Sequence, residues 1–126
     1  MAKILIVDDY EQIRAAARRV LARDGHEIWD VPDGVQALDL LDIIQFDLVL
    51  TDVYMAAVDG MELLVRIQQR GHLVPVVVMS GGGFASREEV LAMAKACGAV
   101  AILAKPFTPQ QLRETIEPLL KPPPPA

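Results

Sequence analysis

Four short, almost continuous apolar runs punctuate the chain, and each ends in a polar or charged residue. Lys3-Ile4-Leu5-Ile6-Val7 leads into Asp8-Asp9, and Phe46-Asp47-Leu48-Val49-Leu50-Thr51 leads into Asp52. Residues 74–79 end at Ser80, and residues 100–104 end at Lys105-Pro106. Unbroken Val, Ile and Leu suits strands covered on both faces of a parallel sheet. A fifth run, about residues 26–31, carries His26, Glu27 and Asp30, a polarity that suits a sheet edge.

Between the runs, apolar residues recur at helical spacing. Ile13, Ala16, Ala17, Val20 and Leu21 form one stripe, with Arg14, Arg18 and Arg23 off it. Met61, Leu64, Val65 and Gln68 form another, and Leu112, Ile116, Leu119 and Leu120 the last. Ser86 to Glu89 and Thr108-Pro109-Gln110-Gln111 read as capping boxes, and Asp33-Gly34-Val35-Gln36 as a weaker one. Gly25, Gly71 and Gly98 stand where left-handed C-terminal caps belong. Pro118 should shorten or bend the final helix. Strand and helix alternate throughout, so the pattern predicts an α/β domain with five parallel strands and five helices.

The 126 residues suit one domain, and 52% hydrophobic with 23% charged residues suits a globular one. A net charge of −5 excludes a bulk electrostatic grip on nucleic acid or anionic lipid. The basic doublet Arg18-Arg19 is read as a solvated helix face. Cys97 is the single cysteine, which excludes an intramolecular disulfide and points to a reducing, cytoplasmic setting. It reads as a small buried hydrophobe rather than a nucleophile. Neither a signal peptide nor a membrane-spanning stretch is visible. The mean hydropathy of +0.31 is attributed to strands buried on both faces. His26 and His72 read as solvated, and Trp29 as packing. The expected organisation is one domain over residues 1–120 and a proline-rich tail over residues 121–126.

If the runs are neighbouring parallel strands, their C-terminal ends meet at the edge where open α/β sheets place ligands. Asp8, Asp9, Asp52, Ser80 and Lys105 would converge there. Crowded carboxylates raise one another's pKa, so the cluster implies a bound cation or a retained proton. Mg²⁺ takes about six oxygen ligands and suits one or two carboxylates plus a phosphate oxygen. A carboxylate can also attack phosphorus, while Lys105 and Ser80 take phosphoryl oxygens. For any one acid alone, helix capping is the better account: Asp9 could cap the first helix with Gln12 at the capping-box position.

The chain resembles the receiver domain of bacterial two-component response regulators, and in size the single-domain chemotaxis regulator. The matching pieces are Ile4-Leu5-Ile6-Val7-Asp8-Asp9, Asp47-Leu48-Val49-Leu50-Thr51-Asp52, Asp59-Gly60-Met61-Glu62-Leu63-Leu64, Val76-Val77-Val78-Met79-Ser80-Gly81 and Lys105-Pro106-Phe107. The resemblance covers roughly residues 3–120. It implies a doubly wound, flavodoxin-like sheet of strand order 2-1-3-4-5. Asp52 matches the phosphoacceptor, and Asp8 and Asp9 the acidic pair holding Mg²⁺. The Tyr54 backbone carbonyl matches a further metal ligand, Ser80 the switch hydroxyl and Lys105 the phosphate-binding lysine. The Lys105-Pro106 bond is expected to be cis. Phosphate would come from a sensor histidine kinase or phosphotransfer protein, and output would pass to an unidentified protein target. The resemblance implies a phosphoacceptor that catalyses its own modification, not an enzyme of steady turnover.

Three features depart from the family pattern. Ile102 stands where an aromatic switch residue is usual, three before the lysine, and Ala56-Ala57 replace a frequent Pro-Gly. Gly81-Gly82-Gly83-Phe84 holds about three extra residues, either a loop that rearranges or an absorbed insertion. Ile102 keeps open a docking module that works without phosphorylation. A small Mg²⁺ phosphatase would want an acid at position 54, which is Tyr. A flavin carrier would want Ser, Thr and Gly after the first strand, where Asp8-Asp9-Tyr10-Glu11 stands.

Overall fold

The computed structural model describes residues 2–53, 55, 58–81 and 87–120. Five strands, β1 (Lys3–Val7), β2 (Glu27–Val31), β3 (Leu48–Asp52), β4 (Val76–Ser80) and β5 (Ala101–Ala104), alternate with five helices. These are α1 (Glu11–Arg23), α2 (Gly34–Leu41), α3 (Gly60–Gln69), α4 (Arg87–Ala96) and α5 (Pro109–Leu120). All strand pairs are parallel, in the order β2-β1-β3-β4-β5, so β2 is an edge strand as its polarity predicts.

The continuous apolar runs are explained by two cores on opposite faces of the sheet. Successive strand residues point to opposite faces. Leu5, Val7, Val49, Val76 and Val78 pack with Ala37, Leu38, Leu63, Leu64, Ile67 and Val90 from α2, α3 and α4. Ile4, Ile6, Leu48, Leu50, Val77 and Met79 pack with Ala17, Leu21, Leu112 and Ile116 from α1 and α5. Trp29 of β2 packs edge-on against Phe46, ring centroids 5.3 Å apart.

The helix ends follow the chain's polar punctuation. Asp33 accepts the Gln36 N–H and Asp59 the Glu62 N–H, each at 2.9 Å. Thr108 and Gln111 form the reciprocal capping box, at 2.9 and 3.1 Å. Gly25, Gly71 and Gly98 all have positive φ. Ser86, the start of the other expected capping box, lies outside the described residues, as do Tyr54, Ala56, Ala57, residues 82–84 and the tail.

Several expectations are corrected. The α3 stripe is shifted by one position: Gly60, Leu63, Leu64 and Ile67 are buried, while Val65 and Gln68 are exposed. Apolar residues at 61, 63, 64, 65 and 67 fit two overlapping helical templates, and packing against α2 and the sheet selects one. Ala16 is exposed, whereas Arg14 is half-buried in an ion pair. Arg18 and Arg19 are exposed, as expected of a solvated helix face, and Arg18 also pairs with Asp30. The α1 N-cap is Tyr10, without a side-chain cap, so Asp9 does not cap it. Pro118 does not shorten α5, which runs on to Leu120. His26 accepts the Ala2 N–H, and His72 lies 3.0 Å from Asp42, so neither is merely solvated. Cys97 is half-buried and free. Among the described residues, no helix is long and apolar enough to cross a membrane.

Candidate functional site

The C-terminal ends of β1, β3, β4 and β5 are brought to one edge by the strand order, and four of the five singled-out side chains are described in mutual contact or close approach. Asp8 follows β1 and is fully buried. Its Oδ1 accepts the Tyr10 N–H at 2.9 Å, and its Oδ2 accepts from Lys105 Nζ at 2.8 Å. Asp52 ends β3, only 6% exposed, and its Oδ1 accepts the Val53 N–H at 2.9 Å. Lys105 Nζ lies 3.1 Å from that same oxygen, so the ammonium bridges Asp8 and Asp52. Asp9 is exposed, and one carboxylate oxygen from each of Asp8, Asp9 and Asp52 lies within 4.8 Å of the others.

Lys105 is set in place by the backbone of the neighbouring strand. Its N–H donates to the Ser80 carbonyl at 2.7 Å, and the Lys105–Pro106 peptide is cis. Ser80 closes β4 opposite Ala104 and is half-buried, one residue beyond Met79, which pairs with Asp52. Val58 and Gly60, just before and at the start of α3, sit against neighbouring residues at close approach. A Cβ on Gly60 would stand 2.1 Å from the Asp52 carbonyl oxygen, and one on Gly34 would stand 2.7 Å from Val58. Only glycine lets the start of α3 close on the end of β3. Tyr54, whose carbonyl the resemblance implicates, lies outside the described residues.

The electrostatics are those of an acidic pocket with one counter-charge. Burial pushes the Asp52 carboxyl above its ordinary range; Lys105 opposes this, and the Asp8 charge adds to it. Burial alone would lower Lys105, but its bonds to Asp8 and Asp52 more than offset this and hold the ammonium above its usual range. Three carboxylates against one ammonium leave a negative excess. Asp9's carboxylate has no hydrogen-bond partner among the described residues. An all-oxygen donor set of this charge fits a hard divalent cation.

Two residues at the site escaped the sequence pattern. Arg14 donates from Nη1 to the Asp8 carbonyl at 2.7 Å and from Nε to Asp30 Oδ2 at 3.0 Å. The available signal was Asp30 itself, a half-buried carboxylate near the end of the polar edge strand, which demands a partner once that strand is packed beside β1.

Comparison with known proteins agrees with this geometry. The family model described as response regulator receiver domain matches residues 4–117. Sporulation initiation phosphotransferase F of Bacillus subtilis (strain 168) is 32% identical over 115 residues, covering 91% of this chain and 90% of that protein. Response regulator MprA of Mycobacterium sp. (strain KMS) is 34% identical over 119 residues, 94% of this chain but 50% of MprA. The chain thus spans about half the length of that relative. Among solved structures, chemotaxis protein CheY4 of Vibrio cholerae superposes with a TM-score of 0.87 at 31% identity, covering 95% of this chain and 99% of that one. NtrX of Brucella abortus gives 0.86 at 32% identity, over 94% of this chain and 27% of NtrX.

Proposed function

The chain belongs to the response regulator receiver domain family, and on that premise we propose that it accepts a phosphoryl group on Asp52 in a Mg²⁺-dependent reaction. The donor is the phosphohistidine of a sensor histidine kinase or phosphotransfer protein. The result is a switched protein–protein surface rather than steady turnover. The observation that supports this best is the convergence of Asp8, Asp9 and Asp52 within 4.8 Å, with Lys105 Nζ bonded to two of them.

An Asp52 carboxylate oxygen attacks phosphorus as the N–P bond of the donor breaks, and the leaving imidazole takes the bonding pair. Most of the protein's work is positioning and charge neutralisation. Lys105 exchanges part of its contact with Asp52 for a phosphoryl oxygen, and Ser80 donates to another. Asp8 and Asp9, with Asp52, would hold Mg²⁺, which supplies neutralisation of the phosphoryl oxygens. Hydrolysis of the acyl phosphate returns Asp52 to its resting state.

The output surface in this proposal is α4, β5 and α5. Position 102 on β5 is Ile and half-buried, so an aromatic rotamer swing cannot carry the signal; in this proposal Ser80, at the end of β4, carries it instead. In this proposal residues 1–120 are the receiver, with the proline-rich residues 121–126 outside it, in a cytoplasmic chain that engages neither nucleic acid nor membrane. Acetyl phosphate or beryllofluoride with Mg²⁺ should shift the NMR signals of residues around Asp52 and Ser80, and radiolabelled donor should label wild type. Equal labelling of Asp52→Asn would overturn the assignment.

A further inference from the structure

Arg14 projects from the first turn of α1 to the acidic cluster, its side chain only 16% exposed. The carbonyl it holds at 2.7 Å belongs to the peptide that joins Asp8 to Asp9. Asp30 orients the guanidinium through Nε at 3.0 Å and also pairs with Arg18. The Asp8 side chain is fixed separately, by the Tyr10 N–H and Lys105. Asp9 has no such support among the described residues, so its direction follows from the torsions flanking the peptide that Arg14 pins.

We infer that Arg14, oriented by Asp30, is a positioning residue for a divalent-cation site at Asp8, Asp9 and Asp52. It fixes the Asp8–Asp9 peptide, hence the relative aim of two adjacent carboxylates, and so favours Mg²⁺ over the larger Ca²⁺. This rests on the reading of the acidic cluster as a cation site.

Two effects of opposite sign decide the test. As a bare charge, a guanidinium near the site weakens cation binding, so its removal should tighten it. Asp30 offsets that charge. As a geometric constraint, Arg14 strengthens binding, because Mg²⁺ demands near-octahedral ligands whereas Ca²⁺ tolerates irregular ones. Removing hydrogen-bond partners that orient metal ligands costs roughly 10–100-fold in affinity. A merely structural ion pair would change the denaturation midpoint and leave the Mg²⁺/Ca²⁺ ratio alone.

The experiment is calorimetric titration of the full chain with Mg²⁺ or Ca²⁺, on wild type, Arg14→Met, Arg14→Lys and Asp30→Asn, with circular dichroism to verify folding. Arg14→Met should weaken Mg²⁺ about tenfold and Ca²⁺ much less. Arg14→Lys, keeping the charge but not the forked donor geometry, should fall between, and Asp30→Asn should shift the ratio the same way by a smaller factor. If Arg14→Met does not fold, the other two variants carry the same comparison. Unchanged ratios, or tighter Mg²⁺ binding without Arg14, overturn the inference alone. A wild-type chain that binds neither ion at millimolar concentration overturns the cation-site reading and the inference with it.

Discussion

Lys105 is the residue on which the acidic pocket balances. It is the one cation bonded to both Asp8 and Asp52 among the described residues. Removing one partner of a buried ion pair leaves an uncompensated charge and costs about 3–5 kcal/mol. Lys105→Met should therefore lower metal-free stability by about 3 kcal/mol, read as a reduced urea midpoint in EDTA. Millimolar Mg²⁺ should narrow the gap, because a bound cation replaces the lost charge. An equal gap with and without Mg²⁺ would argue against cation binding here. Asp52 carries the reverse liability. Its carboxyl is raised above the ordinary value of 3.8, chiefly by burial. Well below that value both folded and unfolded chains hold the proton, and the group contributes no difference. As pH rises through the folded value, the folded chain must ionise a buried group that the unfolded chain ionised earlier, so wild type loses stability. Metal-free Asp52→Asn should be the more stable protein at neutral pH, by about 1 kcal/mol, with the advantage shrinking toward pH 4. Denaturation curves across that range check the sign.

At the scale of elements, the start of α3 governs how Asp52 is presented. Helix α3 begins at Gly60, whose N–H donates to the Val53 carbonyl at 2.8 Å. A methyl at this position would meet the Asp52 carbonyl oxygen at 2.1 Å, a backbone atom that no side-chain rotation can clear. Gly60→Ala should cost about 1–3 kcal/mol, the range for overpacking, and slow labelling of Asp52 by displacing its backbone. Asp59, one residue earlier, is a cap rather than a site residue. Asp59→Ala should cost about 1 kcal/mol and leave labelling of the folded protein unchanged. Together the pair separates helix stability from presentation of the acceptor. The amphipathic stripes show how an element can be correctly placed yet wrongly rotated. In α3 the chain offered two apolar faces one residue apart, and the choice fell to what α2 and the sheet could accept. In α1 the stripe held at Ala17 and Leu21 and failed at Ala16.

Across the whole molecule, the two ends of the sheet do different work. The C-terminal edge gathers the acidic cluster, while at the opposite edge Asp42 after α2 is held by Arg70 and His72 after α3. Asp42 is held below the ordinary carboxylate range, first by its bond to His72 and then by Arg70. A depressed carboxyl contributes stability above its unfolded value of 3.8, and loses it as pH falls through the folded value. Asp42→Asn should accordingly be slightly less stable than wild type at pH 7, with the two converging in acid. Thermal melts over that window test the link between the two loops.

The linear chain by itself determined the alternation of strands and helices, the helix caps at Asp33 and Thr108, the turn glycines and the edge position of the polar strand. These are local: periodicity, capping and backbone permissiveness act over a few residues. Asp8, Asp9, Asp52 and Lys105 were legible because each follows an apolar run, and parallel strands must deliver their C-terminal ends to one edge. Tertiary structure alone decided that Lys105 bridges Asp8 to Asp52, that Arg14 turns inward to the Asp8 carbonyl, that Asp9 is not a cap and that His72 joins Asp42. Those outcomes depend on which side chains from distant segments share a few ångströms and on how burial weighs their charges, and neither quantity exists until the sheet has closed.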